Sequence, residues 1–584
     1  MCGTFLDNLV KERKGNKMQE WVLVRKGGDF NGIEEKFHIN NRIAALIRNR
    51  EIITDEEIRR YLEGSLSDLY DGMLMKDMDK ACEILKEKIE AQESIRIIGD
   101  YDIDGINASY ILLEGLSKFV QNISYDIPHR IRDGYGINED LIKKAYEDGV
   151  DTIITCDNGI SATEAIAYGK SLGMTIIVTD HHEVPKLLPP ADALVNPKRL
   201  DCSYPYKGLC GAAVAYKLVE VLYDIQGEDV SDMDYLLEHV AIATIGDVME
   251  LKDENRILVK EGLSRLRRTK NIGLSALIQA AGIKKESIGA YHIGFVLGPM
   301  LNAGGRLDTA KKGLELLMSQ DERKAGRLAD ELKNLNTSRK DMTEEACRNA
   351  FLLIEEKRLY EENIITVYLE NCHESLAGIV AGRIREKYYR PAFVLTDSKE
   401  MLKGSGRSIP AYNMYQGLTE VKGLLTRFGG HSQAAGISLV KENLPTLARE
   451  LNKKSRLISS DFIQKIRIDM ELPFAAISWE FILQLSLLEP FGVGNERPIF
   501  AAREVFLSNT AIIGKSKNVL KAKATDKNGV IIDAISFREI EKMEKETRGK
   551  SLNILFYPQI NEYMGTKTLQ IVITDYRILS FRKM

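Results

Sequence analysis

Between residues 75 and 200 the chain alternates short apolar runs with longer segments of helical periodicity. The apolar runs lie at 95–98, 123–127, 151–155 and 174–178, and the helical segments lie at 107–120, 139–148 and 162–172. Each helical segment is long enough to connect two parallel strands. This alternation predicts a parallel α/β sheet covered by helices. Acidic or histidine residues directly follow three of the four runs, at the sheet edge where open α/β folds bind ligands.

Further units flank this sheet. Residues 1–74 show mixed apolar and charged positions that predict helices at 41–50 and 55–62, and Met18 offers an alternative start of translation. A long, charged and periodic stretch predicts a connecting helix. The predicted units are an N-terminal extension and helical segment (1–74), a parallel-sheet domain (75–310), a connecting helix (311–359), a second α/β domain (360–457) and a C-terminal β-barrel (458–584).

Strand patterns define the last two units. In the second α/β domain, β-rich runs at 363–369 and 392–395 predict strands. In the C-terminal unit, segments at 520–525 and 530–534 flank Asn528-Gly529, and Asn-Gly is a strong hairpin signal. The C-terminal region is therefore predicted to be a small β-barrel.

Composition agrees with a soluble protein of several domains. The 584 residues exceed one compact core and suggest three or four domains. No apolar run approaches the roughly 20 residues that cross a bilayer, and the first residues lack the layout of a secretory signal, so we expect a cytoplasmic protein with no membrane span. The seven cysteines form no C-x-x-C pair, which argues against a zinc ribbon or a disulfide framework. The net charge of -4 allows nucleic-acid binding only through a local basic groove.

Three carboxylates stand at alternate positions beyond the first apolar run, at Asp100, Asp102 and Asp104. Such a cluster repels itself unless a cation neutralises it. Helix capping explains one of these aspartates but not all three. A calcium loop of the D-x-D-x-D-G type requires a glutamate at its twelfth position, where this chain has Ile111. The cluster therefore predicts a metal site of another kind.

Two further clusters follow the third and fourth runs, and a fourth candidate lies beyond the sheet. Asp157 follows the third run, Asp180-His181-His182 follows the fourth, and Asp247 ends an apolar helical segment. Taken alone, Asp247 is an ordinary helix-end aspartate. A ligand set of carboxylates and some imidazole, without thiolate, favours Mn²⁺ or Mg²⁺ over structural zinc. The set predicts a centre for two divalent cations that acts in phosphoryl transfer.

The order of these clusters resembles a known superfamily. The segments GDYDIDG, TCDNG, VTDHH and IGDVM resemble motifs one to four of the DHH phosphoesterases. The later segments LNAGGR (301–306), GIVAGR (378–383), GSGRS (404–408) and GGH (429–431) resemble its RecJ branch. EPFGVGN (489–495) is similar to the RecJ segment that leads into an oligonucleotide-binding barrel. The resemblance, which covers residue 75 to the end, implies a DHH domain, a connecting helix, a DHH-associated domain and an oligonucleotide-binding domain.

The resemblance also implies roles for single residues. Asp102 and Asp104 would bind metal, Asp157 would bridge two ions, and His181 with Asp247 would complete the second site. His182 would lie beside the metals and bind either metal or the scissile phosphate, and Asp100 and Asp180 would orient the ligands. Many DHH enzymes have a ligating histidine four residues before the aspartate matched by Asp102, where this chain has Ile98. The first metal would then be held more weakly or completed by water.

Substrate handling is likewise an expectation from the resemblance. The side chains expected to hold the substrate, mainly through its phosphate oxygens, are those of Arg306, Arg383, Ser405, Arg407 and His431. Without the resemblance, each arginine is better explained as a surface ion pair. The implied activity is a 5′ to 3′ exonuclease on single-stranded DNA that releases nucleoside 5′-monophosphates in recombination and repair. The implied protein partners are single-strand-binding protein and a RecQ-type helicase.

The C-terminal barrel and the overall function each keep alternatives open. The lysines of the barrel segment are equally well explained as a surface that tracks a nucleic-acid backbone or as a solvated strand face: Lys515, Lys517, Lys521, Lys523 and Lys527. One alternative function is another DHH hydrolase, acting on short RNA oligonucleotides or cyclic dinucleotides. The other is a non-catalytic single-strand-binding scaffold with a degenerate centre.

Overall fold

The computed structural model describes residues 12–14, 17–130, 132–398, 400–514, 516–563 and 565–579. Lys515 of the predicted lysine group and most of the predicted extension before Met18 lie outside these residues. The N-terminal elements are β1 (Glu12–Lys14), β2 (Lys17–Leu23), α1 (Phe30–Phe37), α2 (Asn41–Asn49) and α3 (Asp55–Glu63). None of the described helices combines the length and the apolar character needed to span a membrane.

The N-terminal region packs on the C-terminal barrel. The predicted helices at 41–50 and 55–62 are confirmed as α2 and α3. The strand β2 was not predicted, and it pairs in parallel with Ile463–Ile468. Trp21 on this strand is buried, and its Nε1 donates to Asp575 Oδ2 (3.1 Å). Partners that are distant in the sequence thus fix a segment whose own residues carry little strand signal.

The DHH domain contains the predicted parallel sheet. Its elements are α4 (Met78–Glu90), β3 (Ile95–Gly99), α5 (Ile103–Ser117), β4 (Ile123–Asp126), α6 (Glu139–Glu147), β5 (Thr152–Cys156), α7 (Thr163–Ser171), β6 (Thr175–Thr179), β7 (Ala193–Val195), α8 (Gly211–Gln226), α9 (Leu237–Gly246), α10 (Asp253–Leu266), α11 (Ile272–Ala280), α12 (Ala290–His292), α13 (Gly298–Leu307) and α14 (Lys311–Leu317). The strand order is β4-β3-β5-β6-β7, and every pair is parallel. All four predicted strands and their crossover helices are confirmed. The fifth strand, β7, has only three residues and gave no pattern.

A long helix and a second sheet form the next two units. The predicted connecting helix at 311–359, for which a bend was allowed, is divided into two helices. The long one, α15 (Glu322–Glu356), has 35 residues, whereas α14 ends at Leu317 and the Asp321 side chain caps the start of α15. The DHH-associated domain contains β8 (Ile365–Tyr368), α16 (Ala377–Tyr388), β9 (Ala392–Ser398), β10 (Met401–Arg407), α17 (Met414–Glu420), β11 (Arg427–Gly430), β12 (Ala434–Leu439) and α18 (Leu444–Lys454). Its strand order is β11-β12-β10-β9-β8.

The C-terminal unit is a closed barrel, as predicted. Its elements are β13 (Ile463–Ile468), β14 (Met470–Glu471), α19 (Trp479–Leu485), β15 (Phe500–Ile513), β16 (Val519–Thr525), β17 (Ile531–Ser536), α20 (Ile540–Thr547), β18 (Leu552–Tyr563) and β19 (Thr566–Ile578). The order β15-β16-β17-β19-β18 closes because β18 also pairs with β15. The predicted hairpin at Asn528-Gly529 joins the antiparallel strands β16 and β17. Ile43 and Ile47 of α2 share one apolar cluster with Phe500 and Phe556 of the barrel.

Candidate metal centre and phosphate-binding cleft

The carboxyl ends of β3, β5 and β6 bring the predicted acidic and histidine residues together. His181 Nε2 lies 3.0 Å from Asp157 Oδ1 and 3.5 Å from Asp104 Oδ2. Asp247, which follows α9, lies 3.8 Å from the same nitrogen through its Oδ2. Neighbouring parallel strands end at the same edge of a sheet, so segments that are far apart in sequence converge there. The predicted convergence of the four segments is thereby confirmed.

Local backbone geometry positions two buried carboxylates of the centre, Asp157 and Asp104. Asp157 adopts a left-handed conformation (φ 61°), which aspartate tolerates better than most residues and which turns the chain sharply after β5. A Cβ on Gly211 would lie 2.6 Å from the Asp157 Cβ, so a glycine there lets the start of α8 approach. Asp104 accepts hydrogen bonds from the N–H groups of Gly211 and Ala212, each at 2.7 Å. The positive end of the α8 dipole therefore faces the Asp104 carboxylate.

The donor atoms form three overlapping groups, each compact enough to hold one cation. Within each group, all donor atoms lie within 4.8 Å of one another. The first group is Asp100 with Asp102 and Asp157, the second is Asp104 with His181 and Asp247, and the third is Asp157 with His181 and His182. Asp157 is common to the first and third groups. Groups of carboxylate and imidazole donors at this spacing can bind divalent cations.

Burial and mutual repulsion perturb the acidic groups strongly. Burial, with the charge of Asp102, raises the pKa of Asp104 to about 7. Burial, with the charges of Asp104 and Asp102, raises the pKa of Asp247 to about 8. The pKa values of Asp100 and Asp157 are raised well above their ordinary value by burial and by neighbouring carboxylates. Carboxylates packed in this way become favourable only when a cation lies among them.

Unsatisfied buried atoms test whether the residues fit a metal. Asp100 Oδ1, Asp157 Oδ1 and His181 Nε2 are buried, and none of them has a hydrogen-bond partner among the described residues. Burial, with the charge of His182, lowers the pKa of His181 to about 3, so its imidazole is neutral and offers a lone pair. Buried polar atoms are normally hydrogen-bonded. The centre therefore fits hard divalent cations held by oxygen and imidazole ligands.

Asp180 and His182 form a separate pair at the rim of the centre. His182 Nδ1 lies 2.8 Å from Asp180 Oδ1, and Asp180 also accepts from the N–H groups of Ile160 and His181. Burial lowers the pKa of His182, but the hydrogen bond to Asp180 and the charges of Asp180, Asp247 and Asp104 together outweigh burial and raise this pKa to about 9. The Tyr135 hydroxyl donates to the Asp157 carbonyl (2.9 Å) and lies 3.2 Å from His182 Nε2. In the metal-free centre Asp180 thus favours the protonated form of His182, whose ring lies between Asp180 and the Tyr135 hydroxyl.

A second cluster, of arginines, lies between the DHH domain and the DHH-associated domain. Burial, with the charge of Arg130, lowers the pKa of Arg306 to about 10. Burial, with the charges of Arg385 and Arg130, lowers the pKa of Arg407. Arg306 Nη1 donates to the Ser375 carbonyl of the DHH-associated domain (2.9 Å). Among the described residues, neither Arg306 nor Arg407 forms an ion pair with a carboxylate.

The other predicted substrate residues are His431, Ser405 and Arg383, and their surroundings differ. Burial and the charge of Arg407 lower the pKa of His431, so this histidine faces Arg407. Ser405 is half-buried on β10, two residues before Arg407. Arg383 is exposed and pairs with Glu386 (3.2 Å), which is the ordinary surface interaction that the sequence favours when taken alone.

Sequence reasoning missed Arg130 and Tyr135. The Arg130 guanidinium stacks over the ring of Tyr101 (4.8 Å), beside the first acidic cluster. Both missed residues lie in the loop after β4, which is the one predicted strand that no acidic or histidine residue follows directly. The pair His129-Arg130, a short way beyond the end of that strand, was the available signal.

Three family models match the chain in the order of its domains. The DHH family, N-terminal domain, matches residues 94–244, the DHHA1 domain matches 361–456, and the RecJ OB domain matches 468–575. A Bacillus subtilis protein named single-stranded-DNA-specific exonuclease RecJ is 36% identical over 95% of this chain and 70% of its own length. The protein of that name from Haemophilus influenzae is 33% identical over 91% of this chain and 95% of its own length. The chain belongs to the RecJ family.

Solved RecJ structures have the same architecture. RecJ from Thermus thermophilus in complex with Mn²⁺ superposes with a TM-score of 0.83 at 25% identity, over 96% of this chain and 80% of that one. A second structure, of exonuclease RecJ bound to manganese, is 30% identical with a TM-score of 0.58, over 66% of this chain and 96% of that one. The ions named for these RecJ structures agree with the hard-cation character of the donor set described above.

Within this RecJ-family chain, Ile98 has no access to the metal centre. Ile98 is fully buried in β3 and belongs to the apolar cluster of Ile137, Ile142 and Val178. The carboxylate nearest in sequence, Asp100, is in contrast grouped with Asp102 and Asp157. An oxygen of Asp100 is thus available beside Asp102 and Asp157, on the side of the centre that Ile98 does not reach.

The barrel lysines divide between two environments. Lys521 and Lys523 alternate with buried residues on β16 and lie exposed on the outer face of the barrel. Lys523 pairs with Asp533 on the neighbouring strand (2.7 Å). Lys517 and Lys527 are exposed in the turns at either end of β16. Because Lys523 already has an anionic partner, the lysines offer less free charge than their number suggests.

Proposed function

We propose that this chain is a metal-dependent exonuclease that degrades single-stranded DNA from its 5′ end and releases nucleoside 5′-monophosphates. The observation that carries the proposal is that buried carboxylates, some with unsatisfied oxygens, lie around the imidazole of His181. Beside them lie Arg306 and Arg407, which form no ion pair with a carboxylate among the described residues. The activity named for the Bacillus and Haemophilus relatives supports the substrate class. The 5′ polarity and the monophosphate product are our inferences for this chain.

The metal centre would contain two divalent cations, Mn²⁺ or Mg²⁺. Asp104, His181 and Asp247 would hold one ion, Asp102 and Asp100 would hold the other, and Asp157 would serve both. When bound, the cations supply Lewis acidity and lower the pKa of a ligand water. This assignment gives Asp100 a ligand role where the sequence suggested an orienting role. Its basis is the unsatisfied Asp100 Oδ1 in the group with Asp102 and Asp157.

The protein contributes charge compensation and orientation. Asp180 holds the His182 imidazolium at Nδ1, and the half-exposed ring faces the open side of the centre, where it would neutralise a phosphate oxygen. The Tyr135 hydroxyl fixes the Asp157 carbonyl and the position of the His182 ring together. His182 would therefore act beside the metals, with Asp180 favouring its protonated form.

The arginine cluster suits the terminal phosphate of a strand. Two half-buried guanidinium groups without carboxylate partners among the described residues repel each other, and a phosphate between them would satisfy both through charge-assisted hydrogen bonds. Arg306 and Arg407 come from different domains, so one phosphate would join the two domains. A terminal 5′-phosphate held there would present the first phosphodiester to the metal centre. The width of the cleft between the domains would admit one strand and exclude a duplex.

Cytoplasmic location and association with single-strand-binding protein and a RecQ-type helicase belong to the same proposal. They follow from the expected role in recombination and repair. Lys521 is exposed on the outer face of the barrel and has no ion-pair partner among the described residues. A free cation at this place suits contact with a nucleic-acid backbone.

The proposal is tested with the full-length protein, Mn²⁺ and single-stranded DNA that is blocked at either its 5′ or its 3′ end. Wild type is expected to release mononucleotides from the 3′-blocked strand and to leave the 5′-blocked strand and duplex DNA intact. Asp157→Ala is expected to be inactive, and Asp330→Ala, at an exposed aspartate of α15, is the matched control with full activity. No activity in wild type would favour the non-catalytic scaffold, and release from the 5′-blocked strand would refute the polarity.

A further inference from the structure

The peptide unit of Ile103, between Asp102 and Asp104, is held on both sides by asparagines. The Ile103 N–H donates to Asn302 Oδ1 (2.9 Å), and the Ile103 carbonyl accepts from Asn107 Nδ2 (2.7 Å). Asn302 lies on α13, in the LNAGGR segment to which sequence analysis gave no role beyond its arginine. An element distant in sequence therefore holds the backbone between two metal-ligand candidates.

Asn302 supplies one of the hydrogen-bond acceptors for the backbone N–H groups in the first turn of α5. Asp102 Oδ1 accepts from the N–H groups of Asp104 (2.9 Å) and Gly105 (3.2 Å), and the Asp102 carbonyl accepts from Ile106 (2.9 Å). The remaining donor of the first turn, the Ile103 N–H, is satisfied by Asn302. Ile103 is 1% exposed, so Asn302 covers this N–H from solvent in the native structure. A buried donor without a partner costs about 1–3 kcal/mol, and the carboxylate of the preceding residue, Asp102, is an alternative acceptor for it.

The side chain of Ile103 also contacts α9, the helix that leads to Asp247. A Cβ on Gly246 would lie 2.6 Å from Ile103 Cγ2, so α9 packs directly on this side chain one residue before Asp247. Asn107 accepts a hydrogen bond from Nδ1 of the buried His239, which also belongs to α9 (2.8 Å). The position of Ile103 therefore sets the spacing between the α5 aspartates and Asp247.

We propose that Asn302 is a positioning residue of the metal centre: by accepting the Ile103 N–H, it leaves the second oxygen of Asp102 free for a cation and fixes Asp102 and Asp104 relative to Asp247. The proposal rests on the proposed function for the identity of the cation. Arg306 lies one helical turn beyond Asn302 on α13 and donates to Ser375 of the DHH-associated domain. The helix α13 thus joins the aspartate loop to the arginine that we expect to hold the terminal phosphate.

Isothermal titration of the full-length protein with MnCl₂ alone, without DNA, tests the proposal. Asn302→Ala is expected to weaken Mn²⁺ binding by roughly 10- to 100-fold, the usual effect of removing a residue that orients metal ligands. Asn302→Asp keeps an acceptor oxygen in place and is expected to bind within a few-fold of wild type. The matched control is Asn40→Ala, which removes a helix-capping asparagine from α2, far from the centre, and should leave Mn²⁺ affinity unchanged. In chelator, hydrogen exchange of the segment at residues 99–110 should be faster in Asn302→Ala than in wild type.

The outcomes separate this proposal from the proposed function. Wild-type Mn²⁺ affinity in Asn302→Ala, with binding abolished in Asp157→Ala, would overturn the positioning role and leave the nuclease proposal standing. Absence of Mn²⁺ binding by wild type would overturn both. Should Asn302→Ala fail to fold, Asn302→Ser is titrated instead, because its hydroxyl is too short to accept from Ile103, and unchanged affinity in that variant would refute the role.

Discussion

Replacing Asp104 by asparagine should stabilise the metal-free protein and weaken the metal-bound one. The side chain of Asp104 is 1% exposed, and its pKa rises from 3.8 to about 7 because of burial and the charge of Asp102. At 1.36 kcal/mol per pKa unit, the ionised carboxylate destabilises the folded state by about 4 kcal/mol at pH 8. Asparagine removes this charge, but it can accept only one of the bonds from Gly211 and Ala212, which costs about 2 kcal/mol. We expect a net gain of about 2 kcal/mol in the free energy of unfolding.

The pH dependence of the stability difference follows from the direction of the Asp104 pKa shift. The folded-state pKa of Asp104 lies above the unfolded value, so its destabilising effect is complete above pH 7, falls as the pH drops through 7, and is absent below 3.8. The stability advantage of Asp104→Asn should therefore shrink by about 2 kcal/mol between pH 8 and pH 5.5. The charge of Asp104 also raises the pKa values of Asp247 and Asp157, so its removal lowers the cost of ionising them and acts in the same direction.

The assay is chemical denaturation of both proteins at pH 8 and pH 5.5, each with chelator and with excess Mn²⁺. With chelator at pH 8 the variant should be the more stable protein, and with Mn²⁺ the order should reverse because the variant loses a ligand. Equal stability at both pH values in chelator would show that Asp104 is not a destabilised carboxylate and would refute the electrostatic reasoning.

Three further predictions concern the rim, the cleft and the N-terminal strand. His182→Asn should lower kcat more than 100-fold and change Mn²⁺ affinity less than 10-fold, because the imidazole acts beside the metals. An equal loss of kcat and of Mn²⁺ affinity would show instead that His182 is a metal ligand. Arg407→Ala should reduce kcat/KM at least 10-fold for DNA with a 5′-phosphate but not for DNA with a 5′-hydroxyl, and an equal loss on both would contradict a terminal-phosphate site. Trp21→Ala should destabilise the barrel by about 3–5 kcal/mol in thermal unfolding, whereas an unchanged melting temperature would mean that β2 is dispensable.

The convergence of the candidate ligands could be predicted from the sequence because most of them closely follow strands. Apolar runs that end in Asp100, Asp157 and Asp180 determine both the sheet and the edge at which their side chains meet. Asp247 was harder, since a helix-end aspartate has no local mark of function, and only the order of the motifs singled it out. Its place beside His181 depends on the packing of Gly246 on Ile103, a contact between segments far apart in the chain.

The parts that sequence missed depend on distant partners. The strand at Lys17–Leu23 forms because β13 and Asp575 lie beside it, and neither is visible in the local pattern. The break before α15 comes from the Asp321 cap within a stretch whose charge and periodicity continue through it. Arg130 and Tyr135 lie in an irregular loop, where periodicity carries no information. Asn302 acts through one hydrogen bond to a backbone amide, a role that residue type and spacing do not mark.

The most direct measurement of the central claim is anomalous diffraction from crystals of the full-length protein grown with Mn²⁺. The account predicts two anomalous peaks about 4 Å apart, both within ligand distance of Asp157, one beside Asp104, His181 and Asp247 and the other beside Asp100 and Asp102. A single peak, or none at the carboxyl ends of β3, β5 and β6, would contradict it.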